Sequence, residues 1–216
     1  MKNKPLMLPT WDEENRLVQK GYRLIAGIDE VGRGPLAGPV VAAAVILDPD
    51  ADIRVYDELR DSKTLTPNQR ERLAESIKDV AIDTGIGAAE HWEIDSIGIV
   101  RATRKAMLRA VATLSNRPHH LLVDAVPLPE AGIPFLALVK GDTRCRSIAA
   151  ASIVAKVYRD HLMVLQASIY PNYGFEQNKG YGTKEHIRQL FTLGPSPIHR
   201  RTFAPINTLV KYSSEG

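Results

Sequence analysis

Cysteine is nearly absent from this sequence: Cys145 stands alone, so the chain can form no internal disulfide and offers no thiolate cluster for a metal. A long hydrophobic run is missing too. The longest nearly apolar stretch, residues 35–47, falls short of the roughly 20 residues that span a membrane. The N-terminus has no apolar run with a small-residue cleavage site, which argues against a secretory signal. We therefore expect a cytoplasmic protein without a membrane partner, and a monomer as the simplest assembly.

Acidic residues are scarce in the second half of the chain. Residues 1–97 carry 12 Lys and Arg against 18 Asp and Glu, whereas residues 98–216 carry 16 against 7, so a net charge of −6 is followed by +9. A basic half suits a polyanionic partner such as nucleic acid, although a solubilising surface can have the same composition. The 216 residues are enough for one domain with a full core.

The order of the predicted elements indicates a layered α/β domain. Two apolar runs of strand length, residues 23–31 and 39–47, flank a Gly/Pro-rich turn and predict a hairpin-like pair inside a buried sheet. Residues 1–22, with a short helix predicted over 10–19, are expected to be an extension, and residues 23–216 a single domain. The remaining predicted elements are helices at 66–80, 97–114, 147–169 and 183–193, and strands at 81–89, 121–123 and 135–139.

Carboxylates stand at the ends of three predicted strands: Asp29 with Glu30, then Asp124, then Asp142. Sites in open α/β sheets form at strand ends, so neighbouring strands would bring these acids together. Converging carboxylates repel one another unless a cation compensates, and oxygen ligands without His or Cys favour Mg²⁺ or Mn²⁺ over Zn²⁺. Two such ions can activate a water and stabilise the leaving oxygen of a phosphodiester. Each acid taken alone is equally compatible with a solvated strand end.

Asp29 and Glu30 should not be equivalent, because adjacent residues of a regular strand point to opposite faces. We expect Asp29 to be the central, bridging ligand. Glu30 would reach the same metal only if the strand ends or bulges there, or through its backbone carbonyl. The glycines at positions 32 and 34 make a strand end plausible.

Two glycine-containing segments are candidates for substrate contacts. The backbone N–H groups of Gly32-Arg33-Gly34 could bind a phosphate or a sugar hydroxyl, and the alternative is an ordinary tight turn. Tyr181, held between Gly180 and Gly182, is placed to stack on a base or sugar, and the alternative is a turn tyrosine at the edge of the core.

Several polar residues are candidates for phosphate binding, each with a simpler alternative. Lys63 could reach a phosphate or remain a solvated loop lysine. Ser147 opens the long predicted helix, whose N-terminus favours an anion, or is a plain N-cap. Lys156 and Asp160 share a helix face and could lie near the carboxylates or form a surface ion pair. The run His199-Arg200-Arg201 is a basic cluster that could bind phosphate.

The segment from Ile25 to Val40 resembles the signature of bacterial ribonuclease HII. The resemblance covers about residues 23–206 and implies a ribonuclease H-like fold, a mixed β-sheet flanked by helices, here with a C-terminal helical segment. One position departs from it, because many relatives have glycine where this chain has Ala125. Further matching segments follow in order at 61–63, 123–124, 140–142, 148–160, 180–183 and 199–200.

The resemblance also implies an activity: cleavage on the 5′ side of a ribonucleotide in an RNA–DNA hybrid, or of a single ribonucleotide within duplex DNA, with Mn²⁺ or Mg²⁺ as cofactor. It gives the backbone of Gly32, Arg33 and Gly34 the task of sensing the 2′-OH. It gives Tyr181 the task of stacking at the RNA-to-DNA junction. The metal site it implies consists of Asp29, Glu30, Asp124 and Asp142, and the residues around the substrate phosphates are Lys63, Ser147 and Lys156.

Two other functions are compatible with parts of the pattern. One is a nuclease or strand transferase of the same fold with a different nucleic-acid substrate, against which Tyr181 and the Gly-Arg-Gly turn argue. The other is a module that holds hybrids without cutting them. The basic half of the chain would suffice for that, but four acids at a polyanion site would then be costly and unexplained.

Overall fold

The computed structural model describes residues 8–51, 53–60 and 62–213; Asp61, in the matching segment 61–63, lies outside the described residues. Five strands form one mixed sheet in the order β3-β2-β1-β4-β5, in which β1, β2 and β3 are antiparallel and β1, β4 and β5 are parallel. The strands are β1 Ile25–Val31, β2 Val40–Leu47, β3 Ala81–Ala89, β4 His120–Asp124 and β5 Phe135–Leu138.

Helices cover the sheet and continue beyond it at the C-terminus. Short 3₁₀ turns lie at Ser62–Thr64, Pro129–Ala131 and Gly141–Thr143. The α-helices are α1 Asp12–Gln19, α2 Ile53–Asp57, α3 Pro67–Val80, α4 His91–Ile97, α5 Ile99–Ala112, α6 Arg146–Ile169, α7 Phe175–Asn178, α8 Lys184–Leu193 and α9 Ile206–Ser213. The fold is therefore a mixed sheet flanked by helices with a C-terminal helical segment, as the resemblance implies.

Strand β2 is apolar along its whole length because helices cover both of its faces. Val41, Ala43 and Val45 pack with α6 and α3, whereas Ala42 and Ala44 pack with α5. In β1 the backbone itself determines how close α6 lies: a Cβ on Gly27 would stand 2.1 Å from the carbonyl carbon of Ser147. Glycine at this position lets α6 lie directly against β1, next to the strand end that carries the acids.

The strongest sequence patterns predicted their elements well. The hairpin-like pair is confirmed as the antiparallel pair β1 and β2. Helix α3 begins with a capping box in which the Thr66 hydroxyl accepts from Gln69 N and the Gln69 side chain accepts from Thr66 N. The single helix predicted over 97–114 is wrong at its start, because Gly98 adopts φ +78 and separates α4 from α5.

The described part of the predicted N-terminal extension packs against the domain. Leu17 of α1 is buried with Ile25 and Ile148. Glu13 pairs with Arg144 at 3.1 Å, and a Glu14 carboxylate oxygen accepts from the Ser147 N–H at 2.9 Å. Helix α1 therefore holds the start of α6. Among the described helices, none is long and apolar enough to cross a membrane.

Candidate active site

Two carboxylates meet where the pairing of β1 with β4 stops. The last parallel pair joins Ile28 to Val123, so Asp29 and Asp124 are the next residues on the two neighbouring strands. Both follow the strand alternation to the face that α6 covers, since Ile28 and Val123 pack on the α5 face. The sheet therefore puts these two acids side by side.

Asp142 and Glu30 complete a group of four acids around one cavity of about 550 Å³. Asp142 lies in the 3₁₀ turn before α6, and the N–H of its neighbour Gly141 donates to Asp124 Oδ1 at 2.7 Å. This hydrogen bond ties the Asp142 turn to the end of β4. The other residues that line the cavity are Val31, Ser62, Lys63, Arg70, Ser152, Lys156 and Tyr181.

Asp29 is the most buried of the four acids, with 5% of its surface exposed. Burial raises its pKa well above the ordinary value, and the charges of Glu30 and Asp124 raise it further. The Ser152 hydroxyl and the Glu30 N–H, which lies 2.8 Å from Oδ1, oppose part of that shift. These two donors therefore compensate only part of the Asp29 charge.

Glu30 lines the same cavity as Asp29, although strand β1 stays in regular register with β2 through Val31 and has no bulge there. A bulge is therefore not what brings Glu30 to the cavity. Burial raises the pKa of Glu30, and the guanidinium of Arg33, 3.2 Å from Oε1, partly offsets that shift. Its other oxygen, Oε2, is buried and has no hydrogen-bond partner. One oxygen of Glu30 is therefore buried without a donor that compensates it.

The donor set fits a hard divalent cation. It offers only carboxylate oxygens, one of them an orphan, and the raised pKa of Asp29 indicates uncompensated negative charge. Within the described residues, no three His, Cys, Asp or Glu side chains are already arranged to hold a metal ion. The four acids face one cavity without forming a closed ligand set, so a cation would have to draw their oxygens together.

Cationic side chains and an aromatic ring also line the cavity. Lys156 donates to Asp160 at 2.7 Å, and this pair is largely buried, so it is no ordinary surface ion pair. Burial lowers the pKa of Lys156, and Asp160 opposes that shift. Tyr181 is 40% exposed, and its ring has Lys156 Nζ and Arg159 Cζ each 5.9 Å from the centroid. Lys63 is exposed in the 3₁₀ turn at the cavity's rim.

The Gly-Arg-Gly turn follows directly on Glu30 and Val31. Gly32 adopts φ +90, and a Cβ there would stand 2.1 Å from Arg159 Nε, so only glycine fits. A Cβ on Gly34 would meet nothing within 4 Å. The turn therefore presents open backbone beside the acids.

The structure does not bring Ser147 to this cavity. Ser147 is buried under α1, where its N–H donates to Glu14, and the residue at the N-cap position is Cys145. The prediction that Ser147 lies near substrate phosphates is therefore not supported. Ser152, which the sequence analysis missed, lines the cavity instead, with its Oγ 3.0 Å from Ser62 Oγ. The four-residue spacing of Ser152, Lys156 and Asp160 on an apolar helix was the available signal.

Comparison with solved structures defines the class of protein. The ribonuclease H2 from Pyrococcus horikoshii OT3 superposes with a TM-score of 0.77 at 27% identity, covering 90% of this chain and 100% of that one. Bst-RNase HIII, solved in complex with Mn²⁺, shares the fold at 18% identity with a TM-score of 0.67, covering 89% of this chain and 71% of that one. The chain is a metal-dependent endoribonuclease with a ribonuclease H-like fold.

Comparison of sequences then gives the family. The sequence profile for Ribonuclease HII matches residues 26–206. A Ribonuclease HII from Desulfitobacterium hafniense (strain Y51) is 54% identical over 194 residues, which cover 90% of this chain and 74% of that protein. One from Enterococcus faecalis is 52% identical and covers 91% of this chain and 76% of that protein. The chain belongs to the ribonuclease HII family, which cleaves the RNA of RNA–DNA hybrids.

Proposed function

We propose that this protein is an endonuclease that cuts within the RNA strand of RNA–DNA hybrids and on the 5′ side of single ribonucleotides embedded in duplex DNA. The chemistry proposed is two-metal-ion hydrolysis of the phosphodiester with Mn²⁺ or Mg²⁺. The catalytic unit would be a monomer of residues 23–216, with residues 1–22 as an extension whose described part packs on it. The observation that carries the proposal is the meeting of Asp29 and Asp124 on adjacent strands, with Glu30 and Asp142 around the same cavity.

The four acids are the proposed metal ligands and catalytic residues. When bound, two divalent cations would activate the attacking water and stabilise the leaving oxygen. Asp29, enclosed between the charges of Glu30 and Asp124, is our candidate for the ligand shared by both ions. Glu30 would contribute its unpartnered Oε2, and the Gly141 N–H would keep Asp124 oriented.

Substrate contacts are proposed for the opposite side of the cavity and for the glycine turn. Lys63 and Lys156 are proposed to lie near substrate phosphates, because both side chains line the cavity. The backbone of Gly32, Arg33 and Gly34 is proposed to sense the 2′-OH. Tyr181 is proposed to stack at the RNA-to-DNA junction, which its exposed ring and the cations behind it support.

A duplex with one embedded ribonucleotide tests the proposal. We expect a single nick on the 5′ side of that ribonucleotide in Mn²⁺ or Mg²⁺, loss of the nick in EDTA, and recovery when metal is added back. The all-DNA duplex of the same sequence is the matched control and should stay intact. Binding of the ribonucleotide duplex without any metal-dependent nick would overturn the proposal and favour a module that only holds hybrids.

A further inference from the structure

Two guanidinium groups, those of Arg159 and Arg200, are fully buried behind the Gly-Arg-Gly turn. In the described part of the chain, neither guanidinium has a carboxylate within ion-pair distance. Burial lowers the pKa of Arg200 to about 9, and the charge of Arg159 adds to that shift, so Arg200 is still charged at neutral pH. Burying two cations without ion-pair partners costs free energy of folding. The groups that the two arginines bind instead therefore indicate what they contribute.

Among the described residues, the N–H groups of Arg200 donate only to backbone carbonyls, and two of these carbonyls belong to the turn. Its Nη2 donates to Gly32 O at 2.6 Å, and its Nη1 donates to Arg33 O at 2.9 Å. Its Nε and Nη2 also donate to Gly38 O, at 3.0 and 2.9 Å. The planar fork of one side chain therefore fixes the direction of two successive peptide groups.

Those carbonyls decide where the next N–H groups point. In a planar trans peptide the C=O of one residue and the N–H of the next are directed oppositely. With the carbonyls of Gly32 and Arg33 turned inward to Arg200, the N–H groups of Arg33 and Gly34 are turned outward. Both residues are exposed, and neither N–H has a hydrogen-bond acceptor among the described residues.

We propose that Arg200 is a positioning residue for ribonucleotide recognition: it holds the carbonyls of the glycine turn inward so that two successive N–H groups face the substrate. This inference rests on the proposed function, and it makes discrimination between ribose and deoxyribose depend on a side chain that never touches the substrate. The sequence gives no sign of the role, since Arg200 lies in a run of basic residues that suggests phosphate contacts.

Arg159 provides a matched comparison. It is as buried as Arg200 and also donates only to backbone carbonyls, those of Pro39, Lys179 and Ala37, at 2.9 to 3.1 Å. None of those carbonyls belongs to the peptide groups of Arg33 and Gly34. Loss of its fork should therefore disturb packing without turning the two N–H groups.

The experiment uses Arg200→Lys and Arg159→Lys, each in full-length protein that also carries Asp124→Asn so that cleavage does not interfere. Dissociation constants are measured in Mn²⁺ for a duplex with one ribonucleotide and for the identical all-DNA duplex. We expect Arg200→Lys to reduce the preference for the ribonucleotide about tenfold, because lysine keeps the charge but not the fork. Arg159→Lys, at a side chain that packs on Gly32 and on the Tyr181 ring but donates to no carbonyl of the turn, should reduce the preference by less than Arg200→Lys does.

The outcomes separate two failures. If the parent prefers the ribonucleotide and Arg200→Lys retains the whole preference, the inference is overturned and the proposed function stands. If the parent has no preference, the inference is overturned, and the nicking assay on the ribonucleotide duplex decides the proposed function separately.

A second measurement does not depend on the fold of a variant. In the parent protein, the amides of Arg33 and Gly34 should exchange rapidly with solvent and become protected by the ribonucleotide duplex but not by the all-DNA duplex. Amides already protected in the free protein would face inward, which contradicts the inference.

Discussion

The protein buries a set of acids close to a pair of arginines, and it compensates the negative and the positive charges differently. In the acidic cavity, Asp29 has its pKa raised by burial and by neighbouring carboxylates, and Glu30 Oε2 has no partner. Behind the glycine turn, Arg159 and Arg200 are more deeply buried, yet Nε, Nη1 and Nη2 of each donate to backbone carbonyls. The N–H groups of the two arginines find acceptors within the fold, whereas the charge of Asp29 and the Oε2 atom of Glu30 are not fully compensated.

This difference distinguishes charged side chains that hold the fold together, the two arginines, from charged side chains that we propose bind a ligand, the acids. Backbone carbonyls in a turn can surround a planar fork of N–H groups without any partner from outside. Carboxylates at a strand end need several donors. Those seen for three of the acids are the Glu30 N–H and the Ser152 hydroxyl for Asp29, the Arg33 guanidinium for one oxygen of Glu30, and the Gly141 N–H for Asp124. A bound divalent cation, as we propose, would supply the positive charge that these donors do not.

Removal of one acid should give the largest effect. Asp124→Asn keeps the oxygen that accepts from the Gly141 N–H but removes a negative ligand. If the bound metal contributes about 4 kcal/mol to catalysis, turnover should fall roughly a thousandfold while hybrid affinity changes little. Single-turnover cleavage and equilibrium binding measure the two quantities. Wild-type turnover would remove Asp124 from the mechanism.

The uncompensated acid should also weaken the metal-free fold. Asp29→Asn keeps the acceptor for the Glu30 N–H and removes the buried charge. We expect the variant to be more stable than wild type in EDTA at pH 7, by about 2–3 kcal/mol in urea unfolding. Added Mn²⁺ should stabilise wild type and leave the variant unchanged. A variant less stable than wild type in EDTA would show that the fold already compensates this charge.

A further positive charge beside the buried arginines, such as a protonated His199, should destabilise the folded protein. His199 precedes Arg200, and burial together with His186 and His91 lowers the pKa of His199 to about 4. Its Nδ1 accepts from the Ser196 N–H at 2.9 Å, and its Nε2 faces His186 Nε2 at 3.0 Å, an arrangement that needs neutral rings.

Between pH 6.5 and 4 the unfolded chain takes up a proton at His199 that the folded chain does not. Stability should therefore fall by about 3 kcal/mol as the pH decreases through that window, and this contribution should level off below it. His199→Gln should flatten that part of a pH series of unfolding free energies. His161→Gln, at a side chain 60% exposed, is the control and should leave it steep. Equal slopes for wild type and His199→Gln would contradict the assignment.

Tyr181 joins the two regions, because its ring contacts Lys156 on the acidic side and Arg159 on the basic side. Tyr181→Ala should reduce cleavage at an isolated ribonucleotide about tenfold, as expected for the loss of one stacking contact, and should affect a long RNA tract less. Tyr181→Phe keeps the ring and should cut both substrates normally. Equal losses on both substrates in Tyr181→Ala would contradict a role at the junction.

The sequence revealed the acidic region better than the basic one. Asp29 and Asp124 could be placed because each follows an apolar strand segment, whereas the rule that adjacent residues face opposite sides did not predict that Glu30 lines the same cavity without a bulge. Arg200 could not be placed, because a basic run looks the same whether its arginines meet solvent or buried carbonyls. Ser147 was misplaced for a related reason: a helix start is visible in the sequence, whereas the packing of α1 on it, through Glu14, is a long-range contact.

Ala125, the position at which this chain departs from many relatives, offers the smallest and most local test. It directly follows Asp124 and adopts φ +51, a left-handed conformation that disfavours a side chain. Ala125→Gly should therefore stabilise the protein by about 0.5–1 kcal/mol, the relief of strain being partly offset by a more flexible unfolded chain.

Gly132 supplies the opposite substitution at a similar angle, φ +61, in space that is open around a Cβ. Gly132→Ala should destabilise by a similar amount in the same urea titration. Activity is the informative readout for Ala125→Gly. If cleavage is unchanged, the Gly141 N–H is sufficient to orient Asp124, and the strained turn is incidental. If cleavage falls while stability rises, the stiffness of alanine at this position helps to hold the carboxylate. The orientation of the Asp124 carboxylate would then depend on the local backbone conformation, as we propose for the N–H groups of the glycine turn.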